Sequence, residues 1–285
     1  PEPISASILA IARIMPRNIR IGIMIQKLAD AFRKTVSGSP EGRPTWVKAI
    51  EESEGPGLFG PDSAVWEVHG SVSTLIGGVR ALLLQAAHPA ALAGVKSHSR
   101  YETDLLGRLQ GTSKWLAITT FGPKSMIEKE AARVNAMHEQ VKGEYKTKSG
   151  NSGTYEAKNP RFLLWVHCAF TESFLEAHLL CKYPLKHGAD QYVKEWAKSA
   201  LPLGLTNAPQ NVAELEETLD RFRAEALYAN ETTLDVVKFI MKPPFSKAGL
   251  IPFTIFANAA VATLDPRDCE LLGLKKRGKI WLKLS

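Results

Sequence analysis

Cysteine is scarce. Cys168, Cys181 and Cys269 are the only three in 285 residues, and they stand far apart with no CxxC or other metal-ligand spacing. An odd, scattered set argues against a disulfide framework and favours a reducing compartment. Cys168 adjoins His167, but no orienting base sits beside it, so it reads as a small buried hydrophobe rather than a nucleophile. Long uninterrupted apolar runs are also missing. Near the start, ILAIARIMPRNIRIGIMIQKLADAFRK is interrupted by Arg13, Arg17, Arg20, Lys27, Arg33 and Lys34 and broken by Pro16. It is too charged to span a bilayer. Ile251 to Leu264 is apolar but too short to do so, and reads as a buried helix. Strand-like alternation of useful length and internal repeats are absent. The net charge of +7 comes with no aromatic-basic interleaving and no recognised nucleic-acid motif, so no nucleic-acid partner is expected.

What remains is a helical pattern. The expected fold is all-α, one large helical domain with a core that 285 residues can readily bury. Residues 1–54 read as an N-terminal helical extension and linker, 55–275 as the main domain, and 276–285 as a basic C-terminal tail. Ser37 to Pro61 holds five glycines and four prolines and reads as one long connection. Lys146 to Pro160 reads as a solvent-facing or mobile loop able to gate a pocket. Gln191 to Ser199, Val212 to Tyr228 and Leu234 to Ile240 read as amphipathic helices; in the second, Leu215, Leu219, Phe222 and Leu227 form the inner face. The two N-terminal pieces either pack on the domain or lie on a membrane surface as a peripheral contact. The chain does not begin with methionine and is expected to be trimmed, which leaves targeting open. An intracellular location, cytoplasmic or peripheral to a membrane, is the expectation.

Chemistry concentrates in Gly78 to Thr112, GVRALLLQAAHPAALAGVKSHSRYETDLLGRLQGT, where His, Arg, Asp and Tyr crowd an otherwise apolar stretch. Burying such groups is costly unless each has a partner or a ligand. Val79 to Ala87 starts as an apolar helix in which Leu83, Ala86 and Ala87 share a face while Arg80 and Gln85 point elsewhere. His88 precedes Pro89, and a residue before proline is pushed out of the helical region, so it marks a kink or junction. Asp104, Arg108 and Thr112 are spaced to line one face. That face is either an ordinary Asp-Arg helix pair or a cation held by a carboxylate, with a hydroxyl one turn on. His138 sits among Ala131, Val134, Met137 and Val141 on an apolar face, either as a core histidine or as a ligand. His167, among Leu163, Leu164, Phe170 and Phe174, lies on a helix apolar nearly all round, expected at the centre of the core.

Five blocks in register carry a family resemblance: GPGLFGPDSAVWEVHG (55–70), LIGGVRALLLQAAHPAALAGVKSHSRYETDLLGRLQGT (75–112), FG (121–122), RVNAMHEQVKG (133–143) and NPRFLLWVHCAF (159–170). On these the chain resembles the rubber oxygenase (latex-clearing protein) and mycophenolic-acid-pathway oxygenase family of haem b proteins. The resemblance implies heme b as cofactor, with its iron on the histidine of the VxxMH segment, here His138. It implies a distal role for Arg108 and Thr112, polarising dioxygen or holding a propionate. Together with the reading of the residues themselves, the candidate cofactor-binding set is His138, Arg108, His88, Met137, Val141 and His167. Where rubber oxygenases can carry a lysine before that threonine, able to take the sixth iron position, this chain has Gly111. His88 then becomes a candidate sixth ligand or propionate anchor, though a supporting role suits it better. The family's proposed general-base glutamate has no assignable match.

The expected function is therefore a haem-dependent oxidoreductase that activates dioxygen or peroxide against a small apolar substrate. A non-catalytic haem carrier or sensor is the alternative. A non-haem metal enzyme built on His88, His98, His138 and His167 is weaker, because neither a Glu-x-x-His pair nor a compact two-His-one-carboxylate spacing is present.

Overall fold

The computed structural model describes residues 41–98, 105–245 and 247–275, together with Lys27, Asp30, Lys34 and Ser39. The N-terminal amphipathic pieces, Asp104 and the basic tail lie outside the described residues, as do the side chains of 98, 105–109, 247–249 and 252. In chain order the first helices are α1 (Thr45–Glu51), α2 (Ala64–His69), α3 (Ser73–Ala87), α4 (Pro89–His98), α5 (Leu105–Phe121) and α6 (Lys124–Gln140). A hairpin, β1 (Lys142–Lys146) and β2 (Ser152–Glu156), then leads to α7 (Pro160–Leu180) and α8 (Gly188–Trp196). A 3-10 turn (Ala197–Leu203) precedes α9 (Val212–Glu225), α10 (Glu231–Met241), α11 (Lys247–Thr263) and α12 (Pro266–Leu271). The fold is thus all-α apart from one small hairpin. Ser63, Asn159, Asn211, Asn230 and Asp265 start α2, α7, α9, α10 and α12, each accepting a first-turn N–H that would otherwise lack a partner.

Two expectations need correction. The Ser37 to Pro61 connection contains α1, a seven-residue helix that buries no residue. The Lys146 to Pro160 segment is not simply a loop, because Ser152–Glu156 pairs antiparallel with Lys142–Lys146. The inward positions of the hairpin are Gly143, Tyr145, Gly153 and Tyr155, and only Tyr155 is buried. Tyr155 packs where glycines leave room: a Cβ on Gly143 would come within 2.8 Å of its hydroxyl, and one on Gly94 within 3.4 Å of its ring. Lys148 at the turn donates to the carbonyls of Arg223 and Ala224 (3.2 and 2.9 Å), satisfying the C-terminal end of α9.

The core is built on α3 and α7, which run antiparallel. Gly77 meets Phe174 and Ser173, Arg80 meets Glu172 and Ser173, and His88 meets Phe162 and Trp165. Both helices are rich in small and apolar residues, so their backbones come close. Arg80, which the apolar pattern turns away from the Leu83 face, is nevertheless 1 % exposed. Its guanidinium donates to Glu172 (2.9 Å), to Ser173 Oγ (3.0 Å) and to the Thr263 carbonyl at the end of α11 (3.4 Å). Arg223 of α9 adds Asp268 of α12 (2.9 Å) and Asp220 (2.9 Å) to the same network.

At His88 the chain leaves the helical region (φ −94°, ψ 114°), and α4 departs at 102° from α3. The Tyr228 N–H donates to the Ala87 carbonyl at the break (3.2 Å). Among the described residues no single helix is long and apolar enough to cross a membrane. The bent α3/α4 pair passes on length and composition together, but most of α3 is buried.

A Cβ at Gly77 would lie 2.5 Å from a Phe174 ring carbon and 3.0 Å from the Ser173 carbonyl, so Gly77→Ala must push the two central helices apart. It is expected to destabilise the protein by about 1–3 kcal/mol. Urea denaturation checks this, and an unchanged midpoint refutes it.

Candidate active-site cavity

A cavity of about 650 Å³ lies between the C-terminal ends of α3 and α8, the helices α4, α5, α6 and α7, the hairpin and the 3-10 turn. Its size falls within the usual range for cofactor and ligand sites. The walls are mostly apolar. Ala90, Ala91, Gly94 and Val95 come from α4; Gly111, Trp115 and Leu116 from α5; and Phe162, Leu163, Val166 and Phe170 from α7. Asn135 Nδ2 donates to the Pro202 carbonyl (3.0 Å), tying α6 to the turn that supplies Leu203.

His138 projects into this cavity from the last turn of α6. Its Nδ1 is sealed from solvent and lacks a hydrogen-bond partner. Burial, with Lys158 nearby, holds the imidazole below its ordinary pKa, so it is neutral at pH 7. A neutral imidazole with an unpartnered nitrogen on an apolar wall has the chemistry of a metal ligand.

The other residues singled out from sequence divide into groups. Thr112, Met137, Val141 and His167 line the same cavity. Met137 is also 48 % exposed, so it stands at the boundary between cavity and solvent. Arg108 belongs to α5, one turn before Thr112, but its side chain lies outside the described residues. His88 does not line the cavity. Its Nδ1 accepts the Ala90 N–H (3.2 Å), and its ring packs against Phe162, Trp165 and Phe222 at centroid distances of 5.5–6.0 Å. Burial, then the nearby Arg161 charge, pulls its pKa down to about 4.

Several residues that the sequence did not single out also shape the site. Gln85, Tyr155, Trp115, Trp196 and Arg133 all line the cavity. Trp196 stacks on His167 at 6.5 Å and 13°. Behind Trp196, His69 is held by Thr120 Oγ1 (2.8 Å) and the Tyr192 hydroxyl (3.0 Å), with its ring edge-on to the indole at 4.5 Å. Burial lowers the His69 pKa to about 3. Arg133 is held by Glu130 through two donors (3.0 and 2.6 Å), and Lys114 of α5 pairs with the other Glu130 oxygen (2.8 Å). Burial alone would raise the Glu130 pKa, but these two cations outweigh it and hold the group ionised. Among the described residues no group of three or more His, Cys, Asp or Glu is arranged to hold a metal ion.

Residues 66–283 match the family described as ER-bound oxygenase mpaB/B'/rubber oxygenase, catalytic domain. The chain belongs to this family. Neither characterised proteins nor solved structures give a significant match. Membership makes the protein an oxygenase-type enzyme domain, and the cavity, which lies within the matched residues, is its candidate active site.

His69 and His88 titrate near 6.5 when unfolded, against about 3 and about 4 when folded. Below pH 6.5 the unfolded chain therefore binds protons that the fold excludes, and stability is lost as pH falls from 6.5 towards 4. Each histidine contributes up to about 1.4 kcal/mol per pH unit to that slope. Urea unfolding of the haem-free protein between pH 7 and 4.5 should show a shallower fall in His88→Gln. An identical slope refutes the assignment.

Proposed function

We propose that this oxygenase domain binds heme b through His138 and activates dioxygen or peroxide to oxidise or cleave an apolar organic substrate. The observation that carries the reading is the His138 imidazole on an apolar cavity wall, its Nδ1 buried and unpartnered and its pKa held down by burial, at the position where family resemblance puts the ligand. A bound haem would supply the redox-active iron that attack on an unactivated C=C or C–H bond requires. The residues present fit such a group. An apolar enclosure of this volume desolvates a flat hydrophobic ligand, and the cation Arg133 at its wall suits the charge of a carboxylate substituent.

The protein's own contributions are positioning, polarity and exclusion of water. Trp115, Phe162 and Phe170 give the substrate an apolar bed and keep the interior dry. Thr112 offers a hydroxyl on the α5 wall, and Arg108 one turn before it is proposed as its partner on the oxygen-binding side. Gly111 adds no side chain beside them, which leaves that wall open. His88, buried behind the wall at the α3/α4 junction, acts by holding the bend rather than by touching the cofactor.

The pyridine haemochrome assay of purified protein is expected to give about one haem b per chain. His138→Ala should lose the haem or shift its Soret band radically while helical circular dichroism survives. Haem retained with an unchanged spectrum refutes the ligand assignment. Because a protonated imidazole cannot ligate, haem uptake should hold from pH 8 to 6.5 and fall only below the ordinary histidine range. Arg108→Ala and Thr112→Val should keep haem but slow oxygen-dependent turnover. Turnover equal to wild type removes both from the oxygen-binding side.

A further inference from the structure

Of the cavity's polar groups that have no partner besides His138, two lie on its α3/α7 wall, and a third, the Trp196 indole Nε1 of α8, lies beside His167. Gln85 and His167 both line the cavity, and Gln85 Nε2 and His167 Nε2 are each buried without a hydrogen-bond partner. They belong together by register. With Gly77 against Phe174, Arg80 against Glu172 and His88 against Phe162 and Trp165, Gln85 stands level with the turn that carries His167. Leaving a buried donor or acceptor unpaired costs about 1–3 kcal/mol, so two on one wall mark a place where a ligand supplies the partner.

The pair is uncharged. An amide carries no charge, and burial holds the His167 imidazole at about 4, neutral at physiological pH. Trp196, stacked on the ring, limits its rotation. Among the described residues the charged group of the cavity is elsewhere: Arg133 comes from α6, paired with Glu130, which Lys114 of α5 also contacts. An anionic ligand group is drawn to that side. An uncharged oxygen loses less on desolvation and fits the amide-imidazole side.

We infer that Gln85 and His167 form a hydrogen-bonding subsite for a carbonyl or hydroxyl oxygen carried by an otherwise apolar substrate. This rests on the reading of the cavity as the place where the substrate is oxidised. The subsite makes the enzyme selective for oxygen-bearing apolar molecules over pure hydrocarbons of the same shape. Discrimination of this kind arises because a hydrocarbon leaves both polar groups unsatisfied.

The test compares 2-undecanone with 2-methyl-1-undecene, in which a methylene replaces the carbonyl oxygen. Binding to the ferric protein under argon is read by displacement of the neutral dye Nile red, a signal that needs neither turnover nor dioxygen. Gln85→Met and His167→Phe are each expected to weaken ketone binding about five- to tenfold while alkene binding stays within about twofold. His167→Gln, which keeps a hydrogen-bonding amide, should retain the ketone preference. Equal weakening of ketone and alkene, or no change in either, overturns the proposal. Should His167→Phe fail to fold, Gln85→Met decides alone. Haem content is measured separately on every protein. A wild type without haem refutes the proposed function, whereas the ketone-alkene comparison remains readable on the same purified chain.

Discussion

The close approach of α3 and α7 is the constraint on which the rest of the structure depends. A glycine at the crossing lets the backbones come within reach of one another, and the apolar faces above and below it then zip antiparallel. That approach traps the Arg80 guanidinium where water cannot solvate it. A lone buried charge is prohibitive, so the network of Glu172, Arg223 and Asp268 follows from the packing. Burial pushes the Asp268 carboxyl above its ordinary value while Arg223 pulls the other way. The network joins α3, α7, α9 and α12, and its value lies in fixing one arrangement of those helices, since a buried ion pair adds little net stability.

The cavity is the space this frame leaves open. Because α3 ends at His88 and α4 leaves at a steep angle, the two helices do not close over Gln85 and His167. The hairpin, α6 and the 3-10 turn complete the enclosure. Among the described residues its two histidines are kept neutral by desolvation, while the cation Arg133 is set on the α6 side through a carboxylate that is itself shared with Lys114. The described lining is thus mainly apolar, with an ionic corner at Arg133 and a neutral polar wall at Gln85 and His167.

Much of this frame was legible in the sequence. The His88-Pro89 break and the buried Leu215, Leu219, Phe222 and Leu227 follow from local rules that tertiary contacts do not override. The Ile251 to Leu264 stretch is helical to Thr263 and buries Phe253, Phe256, Ala257, Ala260, Val261 and Leu264, but its expected full burial is corrected by Ile251 and Ile255, which are exposed. The hairpin was not legible, because glycines occupy half of its inward positions and erase the apolar alternation that marks a strand. Arg80 looked like an outward residue because its partners are more than 90 positions away. His69 was passed over for the same reason: Thr120 and Tyr192, which satisfy its ring, are 51 and 123 residues distant. Within the site, Thr112, Met137, His138, Val141 and His167 were named, whereas Gln85 and Arg133 were not. A lone glutamine inside LLLQAA was the available signal for the first. Nothing local distinguished the second from a surface arginine.

Gly111 has a consequence for how such a cavity is altered over time. It sits inside α5 facing open space, where a glycine costs roughly 1 kcal/mol of helix stability relative to alanine. An alanine placed there would firm the helix, and its Cβ would meet no described neighbour within 4 Å. Stability and room therefore trade against each other at this single position. A descendant chain that no longer needed the space would gain folding free energy at once by filling it, and would remodel its chamber in the same step.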